Sequence, residues 1–300
     1  MLNYNEFKDA VTSKIKDYLP ADFSNTTVSI NSVLKNNSLH LDGLTIRRDG
    51  ESICPNIYLN QFYEDYRDGR ALEDILSDIA KIRQKHSGHI DLDVSTITDF
   101  DFVRDKINIK LINSSQNEEY LKDKPHTDIA DLSAIYYINL GTDEYGSMTT
   151  IISDCLISQY GVTVEELHQT VIRNMASNAR FSTMFEVLSE IMSDNAPSDI
   201  FDAADDMIFV LSNQNKINSA SMLLCPNVMD MIAEKVGKDY YLLPSSIHEA
   251  LIVLYKPDME ADSLAAMVRE VNATQVAKDE QLSDHVYRYD YDKHSLVIAA

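Results

Sequence analysis

Glycine, cysteine and tryptophan are the residues this chain has little of. Among 300 residues there are eight glycines, three cysteines and no tryptophan, where glycine alone usually takes about 7% of a chain. The glycines stand at 43, 50, 69, 88, 141, 146, 161 and 237, and no two are separated by a single residue. Dinucleotide-binding turns and P-loops need closely spaced glycines so that backbone amides can approach phosphate, so neither can be built here. A nucleophile elbow of the G-x-S-x-G type is missing as well. Cys54, Cys155 and Cys225 are odd in number, far apart and without C-x-x-C spacing, which excludes a dense disulfide framework and a cysteine-based zinc site.

Positive charge is also short. Lysine and arginine total 26 against 48 aspartates and glutamates, a formal charge of −22. Residues 181–300 carry −12 of this, leaving −10 for residues 1–180, so neither half is a basic module. Nucleic-acid binding rests on cationic side chains displacing counterions from phosphate, and direct binding is not expected. The nearest approach to a basic patch is Lys81, Arg83, Lys85 and His86, which reads as the last turn of a helix complementing its dipole. Long apolar runs are absent: the longest is Ala250–Tyr255, far below the ~20 residues of a membrane-crossing helix. No basic segment followed by an apolar run opens the sequence. The expectation is a soluble protein of the reducing cytoplasm, with no membrane partner.

What is present is ordinary globular material, 44% apolar and 25% charged. Apolar residues recur at helical spacing from Phe7 to Leu19, where Pro20 ends the run. Thr27–Lys35 and Ser38–Arg48 alternate as strands, with Asn36-Asn37 as the turn between them. Pro55 suits a first helical position, and Leu72 to Ile82 marks another helix. The polar run 114–125 is the candidate connector, dividing a helix-hairpin-helix region, 1–115, from a C-terminal region, 126–300. Further on, Ser133–Leu140 and Met148–Ile152 read as paired strands, and Thr163 with Glu166 forms a capping box. Asn227–Val236 reads as a helix stopped by Gly237, Ile247–Tyr255 as a buried strand, and Val286–Tyr291 with Ser295–Ile298 as a hairpin whose Leu296 and Ile298 share a buried face. Strands in tight turns interrupted by single helices predict an α+β fold with mainly antiparallel sheet.

Three groups of residues could carry function. His86, His89, Asp91 and Asp93 are the one local set with metal-ligating side chains, but they lack zinc-protease and EF-hand spacing. A solvated turn is the competing reading, and no metal or cofactor is expected. Tyr58, Phe62 and Tyr66 stand four apart on a helical stripe; with Tyr63 they could meet a partner or pack internally. Pro244 to Glu249 brings Ser245, Ser246, His248 and Glu249 together between two apolar strands. There His248 could act as a base oriented by Glu249, with a serine as nucleophile. Alternatively the serines satisfy backbone groups at a strand break and His248 fills a polar niche.

The segments CPNIYLNQFYEDYRDG (54–69), YGVTVEELHQTVIRNM (160–175), LLPSSIHEALIVL (242–254), MVREVNATQV (267–276) and LSDHVYRYD (282–290) together resemble an uncharacterised domain-of-unknown-function family of Gram-positive anaerobic bacteria. The resemblance spans nearly the whole chain and implies no activity and no site residue. Loop 212–219 contains no glycine where a small, flexible residue is expected.

Two readings of function differ in kind, with a third beside them. The first is a non-enzymatic, protein-binding molecule, motivated by the failure of every common cofactor and nucleophile pattern. The second is a hydrolase or transferase with its site at Ser245, Ser246, His248 and Glu249. The third, an acidic DNA mimic that inhibits a nuclease, rests on charge alone. Convergence of the 244–249 side chains in a cleft would separate the second from the first.

Overall fold

A computed structural model describes the chain apart from residues 52–53, 87–93, 144–145, 193–207, 238 and 257–258. It divides into two compact units, Met1–Lys35 with Leu39–Asp93 and Asn36–Ser38 with Val94–Ala300.

Among the described residues the first unit is a three-stranded antiparallel sheet with three α-helices. Helix α1 (Tyr4–Lys14) starts at a capping box: the Asn3 carboxamide accepts the Glu6 N–H, and the Glu6 carboxylate accepts the Asn3 N–H. Phe7, Val11 and Ile15 follow at four-residue spacing and are fully buried, each burial stabilising by roughly 1.5–3 kcal/mol. Strands β1 (Thr26–Leu34) and β2 (His40–Arg48) pair from Thr26↔Arg48 to Leu34↔His40. The Lys35 N–H donates to the Leu39 carbonyl across the tip, where Asn37 and Ser38 take φ of 57° and 53°. Pro55 does not open a helix. The chain after it pairs with β2 as strand β3 (Asn56–Tyr58), and helix α2 (Leu59–Arg67) starts only once that pairing ends.

Helix α3 (Leu72–Lys85) turns Ile75, Leu76 and Ile79 into the core. Its Arg83 is not the solvent-facing dipole partner that the sequence suggests. The side chain is fully buried, with Nε donating to the Ile46 carbonyl at 2.7 Å and Nη2 donating to the Glu51 carboxylate at 2.7 Å. A guanidinium can be buried in this way because its fork meets several acceptors at once.

The second unit holds two antiparallel sheets. In one, β6 (Leu132–Asp143) is flanked on one side by β4 (Ile107–Asn113) and on the other by β5 (His126–Ile129) and β7 (Gly146–Ile151). The other has the order β13-β12-β10-β11-β9-β8, built from β8 (Ala179–Thr183), β9 (Ile208–Asn213), β10 (Tyr240–Ser246), β11 (Glu249–Leu254), β12 (Tyr287–Asp290) and β13 (Ser295–Ile298). The polar run 114–125 lies within this unit, as a 3-10 turn Ser115–Asn117 and a short helix Glu118–Leu121. Among the described residues every strand pairing is antiparallel, so the fold is α+β.

One buried cluster joins Ile109 and Leu111 of β4, Tyr136 and Ile138 of β6, and Leu242 and Ile252 of β10 and β11. Two helices complete it. Val164–Met175 contributes Leu167 and Val171 behind the Thr163–Glu166 capping box, and Pro226–Val236 contributes Val228 and Ile232 before Gly237 ends it at φ 90°. Tyr241, Leu243 and Val253 are one residue out of step and face the other way, against Ala265 and Val268 of helix Ala261–Thr274. Among the described residues no helix is long and apolar enough to cross a membrane.

Two expectations change in the C-terminal part. Ile247–Tyr255 is not one strand, because Ile247 and His248 form the turn between β10 and β11, with Ser246 opposite Glu249. The terminal hairpin forms as β12 and β13, but its predicted buried face is incomplete: Leu296 is half-buried and Ile298 is 45% exposed, at the outer end of an edge strand.

Candidate functional site

The alternation that buries Ile107, Ile109, Tyr136 and Ile138 turns their neighbours to the opposite face of the sheet. Register then sets Asn108 of β4 opposite Tyr137 of β6, and Asn139 of β6 opposite Thr149 of β7. The β6–β7 register shifts after Asn139, where Gly141 donates its N–H to the Asn139 carboxamide at 3.0 Å. These four side chains form one wall of a cavity of about 460 Å³. Asn213, at the end of β9, and Asn215, Ile217 and Asn218, from the loop after it, form the other. Five of the eight described lining residues are asparagine, and none of those eight is charged. In a chain of net charge −22, that neutrality sets the cleft apart.

The loop carries the backbone conformation that its lack of glycine made unexpected. Lys216 and Asn218 sit at φ 55° and 51°, a region that costs an L-residue roughly 1–2 kcal/mol. Hydrogen bonds offset that cost. The Asn213 carboxamide accepts the N–H of Asn215 at 3.0 Å and donates to the Ile217 carbonyl at 2.9 Å. The Ser221 hydroxyl donates to the Asn218 carbonyl at 2.7 Å, and the Asn218 N–H donates to His248 Nδ1 at 3.2 Å. Tyr137 lies beneath, 8% exposed. Burial pushes its phenol up, partly offset by a hydrogen bond with the Asn218 side chain. Asn215, by contrast, is exposed.

The Pro244–Glu249 segment is therefore adjacent to the cleft through its turn. The Ser246 hydroxyl accepts the His248 N–H at 3.0 Å. Around them the Ala220 N–H donates to the Ile247 carbonyl at 3.2 Å, and the Ile247 N–H donates to the Glu280 carbonyl at 2.8 Å. His248 Nε2 lies 3.5 Å from the Glu280 carboxylate. Glu249 is exposed on the strand beyond the turn. Ser245 lies on β10, and its side chain is outside the described ones. The geometry thus ties Ser246 to the His248 backbone and His248 to the Asn218 backbone, while Ile247 bonds the two neighbouring loops, and it gives His248 the carboxylate of Glu280 as its neighbour in place of Glu249.

The other sequence candidates lie in the first unit. Tyr63 and Tyr66 pack on α1, with ring centroids 5.3 and 5.5 Å from Phe7. The Tyr66 hydroxyl accepts the Leu2 N–H at 3.1 Å. Tyr58 lies under the Lys35 ammonium, 4.7 Å from ring centroid to nitrogen. All three are half-buried. His86 Nδ1 pairs with the Ile82 carbonyl at 2.8 Å, while His89, Asp91 and Asp93 lie outside the described residues. Among the described residues no three His, Cys, Asp or Glu side chains are grouped to hold a metal ion.

Sequence reasoning missed the cleft because its walls come from positions as far apart as 108 and 218. The signal available was local: asparagine at 213, 215 and 218, beside a glycine-free loop.

A family model described as a family of unknown function, DUF5688, matches residues 4–291. No curated protein and no solved structure matches the chain.

Proposed function

The chain belongs to the DUF5688 family of unknown function, and from its geometry we infer that it is a non-enzymatic binding protein that takes an extended, uncharged stretch of another polypeptide in the asparagine-lined cleft. The observation that carries this reading is the lining itself. A carboxamide presents one acceptor and two donors, the same groups that a peptide bond offers, so a row of asparagines can pair with a main chain whatever its side chains. A lining without charge neither selects nor repels a neutral segment, whereas a carboxylate or ammonium there would impose a charge preference. Ile217 at 43% exposure and Tyr137 supply apolar surface between the amides. The 244–249 turn supports this reading through the His248 bond to Asn218, which holds the loop in its binding form.

The test is titration of the full chain with uncharged extended peptides and with lysine-rich and aspartate-rich peptides of equal length, followed by NMR. Saturable shifts at 108, 137, 139, 149 and 213–218 with the uncharged set support the reading. Binding by charged peptides alone, or shifts that bypass these residues, would contradict it.

A further inference from the structure

We propose that His248 is a pH-sensitive latch on the asparagine cleft: protonation of its ring releases the cleft loop and weakens the hold on a bound polypeptide. The proposal rests on the peptide-binding reading of that cleft and adds its regulation.

The latch follows from what the ring is bonded to. The Asn218 N–H donates to His248 Nδ1 at 3.2 Å. A backbone N–H can only donate, so this bond requires an unprotonated Nδ1. The neutral ring then carries its proton on Nε2, which lies 3.5 Å from the Glu280 carboxylate. An imidazolium has two N–H groups and no lone pair, so it cannot accept from Asn218 whichever way the ring is turned. Other described histidines are bonded differently. His86 and His126 face carbonyl oxygens, His168 a hydroxyl, and His285 and His294 carboxylates. Each of those oxygens can accept from a protonated ring, so protonation leaves their bonds possible.

The surroundings let the ring titrate within the native fold. The side chains of His248 and Glu280 are 33% and 48% exposed, so water reaches both. Glu280 gives the imidazolium a counter-charge from the 276–281 segment, on which Lys278 and Asp279 also stand. The charged residue of the cleft loop is Lys216, whose ammonium lies 3.4 Å from the Glu190 carboxylate. Glu249, next in the chain, is exposed. Imidazoles change charge between about pH 5 and pH 8, above the carboxylate range. Acid therefore takes the acceptor away from the N–H of Asn218, a half-buried residue held at φ 51°. Asn218 lines the cleft, and its side chain bonds the Tyr137 phenol. Linkage runs both ways: a polypeptide that binds the latched loop holds the ring neutral to lower pH.

The experiment uses the full chain between pH 8 and pH 5. NMR follows the Asn218 amide and the His248 ring in the free protein, and calorimetry measures one uncharged extended peptide at the two limits. The Asn218 amide should move with the same midpoint as the His248 ring. Peptide affinity should be about five- to tenfold weaker at pH 5, as for one lost hydrogen bond. His248→Gln keeps an acceptor that does not titrate, so its Asn218 amide should stay fixed and its affinity should be equal at both limits. An Asn218 amide that stays still while the parent ring titrates would overturn the latch. Equal peptide affinity at pH 5 and pH 8, or the same acid loss in His248→Gln, would overturn it too. The amide measurement needs no peptide. A chain that binds no peptide at either pH contradicts the cleft reading, while the amide still decides whether His248 latches the loop.

Discussion

His248 Nδ1 accepts the backbone N–H of Asn218 across 3.2 Å, and this bond joins the 244–249 turn to the cleft loop. Asn218 is in the left-handed region, so its N–H is aimed by a conformation that the loop would not adopt unaided. Ser246 holds the His248 backbone from below by accepting its N–H. The most chemically varied segment of the sequence thus bears on the cleft through backbone positioning.

Cutting His248 to alanine should therefore destabilise the protein by ~1–2 kcal/mol, the cost of leaving a half-buried donor without its acceptor. Ser246→Ala should cost about 1 kcal/mol, and the two losses should not add, because both act on one turn. His248→Gln, whose side-chain oxygen can accept the same N–H, should recover part of the loss. Urea melts of the three variants and the double mutant measure this. A His248→Ala protein as stable as the parent would remove His248 from its positioning role.

The Arg83–Glu51 pair makes a second prediction, in the first unit. The guanidinium is fully buried and the Glu51 side chain is 11% exposed. Breaking such a pair leaves a charge without compensation, so Glu51→Gln should cost ~3–5 kcal/mol at neutral pH. Burial pushes the Glu51 carboxyl up, but the Arg48 N–H and the Arg83 guanidinium outweigh it, leaving the group below its usual range. A lowered folded-state value means that the contribution is complete above the ordinary glutamate pKa, about 4.3. It is lost as pH falls through the lower folded value. Stability measured from pH 6 to pH 2 should fall less steeply in Glu51→Gln than in the parent. Equal slopes would show that the pair contributes nothing to acid sensitivity.

The three thiols should differ in reactivity. All are free; Cys155 is exposed, Cys54 is intermediate and Cys225 is buried. Burial pushes the Cys225 thiol up to about 11, so at pH 8 roughly a thousandth of it is thiolate, the form that reacts. Native labelling with a disulfide reagent should modify Cys155 first and Cys225 last, and denaturation without reductant should expose all three. Rapid native labelling at Cys225 would contradict the packing around helix Pro226–Val236.

Local signals in the sequence led to local structure. Thr163 with Glu166 caps its helix as expected, Gly237 stops the next in the left-handed region, and the chain turns at Asn36 and Asn37. The misreadings have a common physical origin, which is that burial and conformation are set by partners distant in sequence. Ile247 is 3% exposed although it sits in a turn, so the apolar run through Tyr255 hid the break. Lys81 and Lys85 made Arg83 look like one more exposed cation, and only the fold brings Ile46 and Glu51 to it. The cleft was illegible for the same reason. Asn108, Asn139 and Asn218 become neighbours through strand register and a hydrogen-bonded loop, and no spacing along the chain records that.

The central claim is that neutral main-chain recognition occurs at the asparagine cleft, and Asn215→Ala tests it most directly. Asn215 is exposed and lines the cavity, while the bonds that hold the loop come from Asn213, Ser221 and His248. Calorimetric titration of parent and variant with one uncharged extended peptide is the measurement. The account predicts an unchanged melting temperature and an affinity about five- to tenfold weaker, as expected for one lost hydrogen-bonding group at ~1 kcal/mol or slightly more. Equal affinity in the two proteins would contradict it.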